Sequence, residues 1–437
     1  MAGVWRRYGA WLAAALAAGF MSGMAFAGPL DPPGEGWTLK GTVVLSRHGM
    51  RAVTIAVRCG GVAKPGDCLD ALGADRWPDP AVASGHLTDA GFDRMRVMGA
   101  FYRRHYAQAG LFAPVECPQA SRIAFISDGA ERTLLSAGAV MDGMFPGCLL
   151  PNLDVRPALY KGPACGYEEA QARAASVALA GATPATLMRG ELARPLAALD
   201  QVLGTFRPEA CAAHGVGAPC SLATLAEKGD GFDGLHIAAQ TSEQFIMQYG
   251  AGLAPGGIGW GRLPAATGEA LPAAILEVNA LHAASERIAF MPRYQAVKRG
   301  TPVLAPVLAA LTDLAAGQGP AFTYFSSHDT LMLALAGMLD LRWTPPGFHP
   351  YQLPPGGAFA FELWQPPAGE PTLRLFYIVQ SLDQLRSGAA LDAQNPPSAT
   401  PVEIGACGAD PAGLCPWSRF AALAQAASDP ACLPAAP

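Results

Sequence analysis

The sequence has little charge. Only 15% of its 437 residues are Asp, Glu, Lys or Arg, and the formal net charge is −5. A weakly acidic chain gives nucleic acid no field to bind to, so no nucleic-acid partner is expected. No run of like charges marks an acidic or basic tail. Beyond the N-terminal segment, no stretch reaches the roughly 18 apolar residues of a membrane helix. No two cysteines stand in a Cys-x2-Cys pair, which argues against structural zinc. There is no His/Asp cluster at metal-ligand spacing and no Gly-rich nucleotide loop, so no metal and no other cofactor is implied.

What is present begins with a leader. Arg6 and Arg7 precede the apolar run Ala10–Phe20, and Ala25-Phe26-Ala27 is a small-x-small cleavage site. Residues 1–27 therefore read as a signal peptide, which implies a periplasmic or secreted protein and no membrane attachment after cleavage. All ten cysteines follow that segment, and an even number in an exported chain reads as disulfides. Spacing suggests local partners for Cys59 and Cys68, Cys211 and Cys220, and Cys407 and Cys415. Cys117 and Cys148 are placed to close a larger loop, with Cys165 and Cys432 remaining. Spacing alone leaves the connectivity open.

The chain is organised around Val43–Thr54 (VVLSRHGMRAVT). Gly41–Leu45 is a β-rich apolar run that reads as a buried strand. At its carboxyl end come Arg47, His48 and Arg51. Two guanidiniums beside an imidazole require an anion, and Arg forks match phosphate oxygens. Ligands of open α/β sheets bind beyond the carboxyl ends of the strands. Two further strand ends carry similar chemistry. Arg122–Ser127 runs into Asp128-Gly129-Ala130-Glu131-Arg132-Thr133 and a helical pattern through Met144. Phe322–Phe325 runs into Ser326-Ser327-His328-Asp329-Thr330 and an apolar helix over Leu331–Leu339.

Elsewhere, Leu87-Thr88-Asp89 opens a helix through about Ala107. Residues 55–86 form a Gly- and Pro-rich loop placed to cap the site, and residues 161–240 are Ala-rich and helical in pattern. Ser242-Glu243 reads as a helix start, where the dipole favours the Glu. His282 precedes a long helix and reads as a core histidine, and Arg299-Gly300-Thr301-Pro302 opens the next helix. Two strands, Phe359–Trp364 and Leu373–Val379, fit a hairpin.

Arg47-His48-Gly49-x-Arg51, the Asp-x-x-Glu-Arg-Thr segment and His328-Asp329 together resemble the histidine acid phosphatase family, branch 2 of the histidine phosphatase superfamily. Within it the chain is similar to the bacterial phytase and glucose-1-phosphatase group, from about Leu39 to Cys432. Two positions depart from the family pattern, with Val53 in place of Pro and Leu331 in place of a common Asn. The related mutase branch lacks a second Arg, so Arg51 argues against it.

The resemblance implies an α/β fold: a mostly parallel central sheet flanked by helices over 28–160 and 241–437, with a smaller helical insertion at 161–240. It implies four bridges, Cys117–Cys148, Cys165–Cys432, Cys211–Cys220 and Cys407–Cys415, with Cys59–Cys68 as an additional one. It implies Arg132 as a third phosphate-binding Arg. Glu243 matches a substrate-facing Glu, so Glu243 and Thr54 are further substrate-pocket candidates. In enterobacterial phytases a Lys follows the residue matching Thr54, whereas Ile55 stands here.

The expected chemistry is hydrolysis of a small-molecule phosphate monoester. His48 is the nucleophile, Asp329 is the acid and then the base, and Arg47, Arg51, Arg132 and His328 supply the positive field. The expected substrates are simple esters such as sugar phosphates, with phytate tolerated. A phytate-selective enzyme is the alternative. A periplasmic binding protein using the same cradle without turnover is the alternative of another class, and it would need neither nucleophile nor acid. The sequence carries no signal of oligomeric state.

Overall fold

The structure, a computed structural model, describes residues 31–52, 72–75, 77, 82–114, 116–150, 152–160, 165–263, 270–408 and 412–433. The leader, Thr54, Ile55, Cys59 and Cys68 lie outside the described residues, as does most of the 55–86 loop.

β1 (Thr38–Arg47) is followed by α1 (Asp89–Gln108), β2 (Ile123–Ser127), α2 (Glu131–Met144) and β3 (Asp154–Val155). A helical stretch comes next: α3 (Glu169–Ala180), α4 (Pro184–Arg189), α5 (Ala193–Leu203), α6 (Pro208–Ala213) and α7 (Leu222–Ala226). The long helices α8 (Phe232–Gly250), α9 (Ala270–Phe290) and α10 (Arg293–Ala315) lead to β4 (Phe322–Ser327) and α11 (Asp329–Leu339). The remainder holds β5 (Leu341–Arg342), β6 (Ala358–Gln365), β7 (Thr372–Val379), α12 (Leu382–Ser387), β8 (Ser398–Pro401), β9 (Glu403–Ile404), β10 (Leu414–Pro416) and α13 (Trp417–Ala427).

The fold is α/β. The main sheet has the order β10-β7-β6-β1-β4-β2-β3, with β8 on β7. Its site-bearing part, β1-β4-β2-β3, is parallel, and β6 and β7 extend it as the expected antiparallel hairpin. β1 is apolar without alternation because both of its faces are covered. Val43 and Leu45 enter one core with Phe325, Phe359 and Phe361. Val44 enters the opposite core with Phe125, Phe322, Tyr324 and Phe376. Each such fully buried side chain contributes on the order of 1.5–3 kcal/mol of hydrophobic stabilisation. A third core, containing Leu199, Val202, Leu235, Phe245 and Leu281, belongs to the helical part.

Several local expectations change. Residue 240, the expected end of the helical insertion, lies inside α8. Glu243 is therefore not at a helix start but in the middle of a helix that is buried along most of its length. His282 does not precede a helix; it lies within α9. Pro302 does not open a helix, since α10 begins at Arg293 and carries both Pro302 and Pro306 inside it. An interior proline loses a backbone hydrogen bond and costs about 3 kcal/mol. Tertiary burial offsets that cost here, because Val303, Leu304 and Val307 are packed into the core beside β1 and α11.

The bridges Cys117–Cys148, Cys165–Cys432, Cys211–Cys220 and Cys407–Cys415 are all formed. No helix among the described residues is long and apolar enough to cross a membrane.

Candidate active site

The parallel register brings three strand ends side by side. Arg47 pairs with Ser327, and Ser326 of β4 pairs with Ser46 of β1 and Ser127 of β2. The residues just after these positions, His48, His328 and Asp128, therefore meet at one edge of the sheet. His48 is fixed through its backbone: its N–H donates to Ser327 O at 3.0 Å, and its carbonyl accepts from Gly356 N–H at 3.0 Å. Nδ1 of His48 donates to Gly49 O at 2.8 Å, which leaves the lone pair on Nε2. The His48 and His328 ring centroids are 5.4 Å apart. Burial, reinforced by Arg47, His328, Arg51 and Arg132, pushes the His48 imidazole well below its usual titration range.

Gly49 is required by packing. A Cβ there would lie 2.8 Å from Met95 Cγ and 2.9 Å from Gly91 O. A Cβ on Gly91 would come within 2.1 Å of Met50 O. These two glycines let α1 dock against the loop that carries His48 and Arg51. The Gly49 N–H donates to Ser136 Oγ at 2.9 Å, and Ser136 donates to Arg132 O at 2.6 Å, which ties α2 to the same loop.

Arg47 is buried at the end of β1. Its Nη1 donates to Leu353 O at 2.6 Å, and its Nη2 lies 2.7 Å from Asp329 Oδ2 and also bonds Glu243 Oε1. Arg51 Nη2 donates to Glu243 Oε2 at 2.8 Å. The anion that two adjacent guanidiniums require is thus supplied by the protein itself, from the middle of α8. Burial alone would raise the Glu243 carboxyl, but Arg47 and Arg51 outweigh it and hold Glu243 well below the usual carboxylate range. For Arg47, burial works against the charge, yet Asp329 and Glu243 keep it protonated more firmly than usual. His282 Nε2 lies 3.5 Å from Glu243 Oε1. Burial lowers the His282 pKa despite that carboxylate.

On the other side of His48, Arg132 Nη2 is 3.2 Å from His328 Nδ1. His328 Nε2 lies 2.7 Å from Asp128 Oδ2. Asp128 is held by Thr133 Oγ1–H at 2.5 Å and by Ala130 N–H at 3.0 Å, both to Oδ1. Burial opposes its ionisation, but His328 and these donors lower the Asp128 pKa. Asp329 opens α11, where Oδ1 accepts from Thr330 N–H at 2.8 Å.

The structure thus brings together Arg47, His48, Arg51, Arg132, His328, Asp329 and Glu243. Thr54 lies outside the described residues. Leu331 is buried in the core beside β1. Ligand atoms of Glu243, His282 and Asp329 lie within 4.8 Å of one another, a spacing a cation could use. The Arg47 guanidinium bonds the Glu243 and Asp329 carboxylates, so a side chain already supplies the positive charge there. Sequence reasoning missed Asp128 as the partner of His328, although its place directly after a strand was a usable signal. It also set His282 aside. Glu286, one turn beyond His282 on the same face of α9, carried no local signal.

Residues 38–188 match the family model described as "Histidine phosphatase superfamily (branch 2)". The chain is 26% identical to "Phytase AppA" of Escherichia coli (strain K12) over 422 residues, covering 90% of this chain and 93% of that one. It is also 26% identical to a "Glucose-1-phosphatase" of Providencia rettgeri over 400 residues, covering 86% of this chain and 89% of that one. The solved structure of Hafnia alvei phytase in its apo form superposes with a TM-score of 0.78 at 26% identity, covering 92% of this chain and all of that one.

Proposed function

We propose that the chain, which matches the model of branch 2 of the histidine phosphatase superfamily over residues 38–188, hydrolyses small phosphate monoesters through a phosphohistidine on His48. The observation that carries this reading is the convergence of His48, His328 and Asp329 with Arg47, Arg51 and Arg132 at the ends of adjacent parallel strands.

The Nε2 lone pair of His48 attacks phosphorus as the ester P–O bond breaks, and Asp329 gives the departing oxygen its proton. Arg47, Arg51, Arg132 and His328 take up the charge of the non-bridging oxygens. In the second step Asp329 accepts a proton from water, and the resulting hydroxide displaces phosphate from His48. The depressed His48 pKa supports work at acid pH, because the imidazole stays neutral where a free histidine is protonated. To bind, the substrate phosphate must compete with Glu243 and Asp329 for the guanidiniums that these carboxylates neutralise at rest.

That competition supports a preference for simple esters such as sugar monophosphates over phytate. A polyanion meets the Glu243 carboxylate at the cradle, and the sequence has Ile55 where enterobacterial phytases have a Lys. The two relatives named above, one called a phytase and the other a glucose-1-phosphatase, bracket this range. The four disulfides fit an oxidising compartment and support a periplasmic or secreted enzyme. The direct test is acid quenching with a radiolabelled monoester followed by peptide mapping. Label on His48 is the expected result, and label on any other residue overturns the assignment.

A further inference from the structure

We propose that Asn279 and Gln352 are positioning residues that turn one edge of the Arg47 guanidinium, Nε with Nη2, toward the substrate phosphate. The inference rests on the reading of Arg47 as a phosphate ligand.

Asn279 lies in the interior of α9 and is fully buried. Asparagine is a poor helix former, and a buried amide is costly unless its hydrogen bonds are made. Both of its polar atoms are bonded. Nδ2 donates to Ser242 O of α8 at 3.1 Å, and Oδ1 accepts from Gln352 Nε2 at 2.6 Å. Gln352 is buried too, in the segment between β5 and β6. Its Oε1 accepts from His349 N–H at 3.0 Å, and Nε2 of His349 donates to Leu276 O, on α9, at 2.7 Å. The amide of Gln352 is therefore fixed through both of its polar atoms.

The residues next to these bonds are the partners of Arg47. Ser242 precedes Glu243, whose Oε1 accepts from Arg47 Nη2. Gln352 precedes Leu353, whose carbonyl accepts from Arg47 Nη1 at 2.6 Å. Bonds and chain neighbours thus close a ring: Arg47, Glu243 and Ser242, Asn279, Gln352 and Leu353, and back to Arg47. Asn279 spans the ring and fixes how far apart Glu243 and the Leu353 carbonyl stand. A guanidinium is planar, so holding both Nη groups fixes the orientation of the plane. With Nη1 turned to Leu353 O, the remaining edge is the one formed by Nε and Nη2. Arg47 Nε is buried and without a hydrogen-bond partner among the described residues. Buried donors are nearly always paired, so this open one calls for a partner, and two oxygens of a phosphate fit the Nε–Nη2 edge. Nη2 leaves Glu243 and Asp329 as the phosphate takes it, while Nη1 stays on Leu353 O.

The test measures binding of inorganic phosphate by titration calorimetry. Gln352→Met keeps the side-chain length and removes the amide. It should weaken phosphate binding about tenfold and raise KM by a like factor for a sugar ester and for p-nitrophenyl phosphate, since Arg47 addresses the group they share. Asn279→Leu should do the same, and the double variant should lose no more than either single one, as members of one ring do. In an Arg47→Lys background, Gln352→Met should cost nothing further. Additive losses, which a merely structural role predicts, overturn the inference, as does unchanged phosphate affinity in both single variants. The wild type gives a reading that needs no variant to fold. The Nε–H signal of Arg47 in a nitrogen-edited proton spectrum should shift as phosphate is added, and an unmoved signal overturns the inference. Arg47→Lys separates this idea from the reading beneath it. Intact phosphate affinity in Arg47→Lys overturns Arg47 as a phosphate ligand. Lost affinity there, with none lost in Gln352→Met, overturns only the positioning role.

Discussion

The two sides of the site are built differently. On one side, His48, His328, Asp128 and Arg132 stand where strands end or helices begin, each within a few residues of a hydrogen-bonded strand position. On the other, Glu243, His282 and Glu286 project from the interiors of two long helices. Strand ends place the proposed reacting groups, with backbone bonds such as His48 N–H to Ser327 O setting their positions. Helix interiors place the counter-charges, whose positions depend on how α8 and α9 pack. The lesson is a division of labour: the sheet edge fixes the chemistry, and the helical part sets the electrostatic conditions under which it runs.

The sharpest way to test that division is to remove a group from each side. His48→Ala should lower kcat by roughly 10,000-fold or more, with the thermal unfolding midpoint nearly unchanged, because the side chain is a reactant rather than a support. Residual turnover within a hundredfold of the wild type would place the nucleophile elsewhere.

Glu243→Gln should do the reverse, acting on stability before chemistry. It strips Arg47 and Arg51 of the carboxylate they share, and breaking a buried ion pair by removing one partner costs about 3–5 kcal/mol. Added inorganic phosphate should recover more unfolding temperature in the variant than in the wild type, since it replaces the missing anion. The pH dependence has a definite sign. The folded-state pKa of Glu243 is depressed, so its contribution is fully present above the usual Glu range and is lost as pH falls through the folded value. The stability gap between variant and wild type should therefore be wide at neutral pH and narrow only in strong acid. A gap that closes already around pH 5, near the usual Glu range, would show that Glu243 is not held by the two arginines.

Asp128→Asn should have the smallest effect of the three. It keeps the bonds to Oδ1 but removes the charge beside His328 Nε2. Loss of an orienting partner of this kind costs about tenfold to a hundredfold in activity. The loss should fall on kcat/KM for every ester alike if His328 addresses the phosphate, as proposed, rather than the leaving group. A loss confined to one ester would link Asp128 to the leaving group instead.

The same division explains what could be read in the sequence. Arg47, His48, Arg51, His328 and Asp329 were legible because a strand ending in polar residues before a helix is a local pattern, and Arg132 was legible through resemblance. Four cystine pairs were legible through resemblance. Glu243 was noticed but misplaced. Ser242-Glu243 resembles a helix start, yet the preceding Phe232–Thr241 continues the helix without a break. Pro302 misled for the same reason, because local propensity predicted a boundary where burial against β1 and α11 sustains α10.

β1 ends one residue before His48, the proposed nucleophile, and its position in the sheet governs when the site can form. The strand lies between β4 and β6, so Thr42 pairs with Phe322 on one edge and with Glu362 on the other. As the chain emerges in order, the strand bearing His48 is made first, while both of its neighbours belong to the last third. Until β4 has been synthesised, β1 is a long apolar edge with unpaired backbone groups on both sides, and until β6 follows one side stays open, the kind of edge that recruits other chains. Closure over such long sequence distances is slow. Maturation should then be limited by how well the newborn β1 is shielded during that wait, and a nascent chain halted before β4 would hold every residue of the Arg-His-Gly segment and no phosphate cradle.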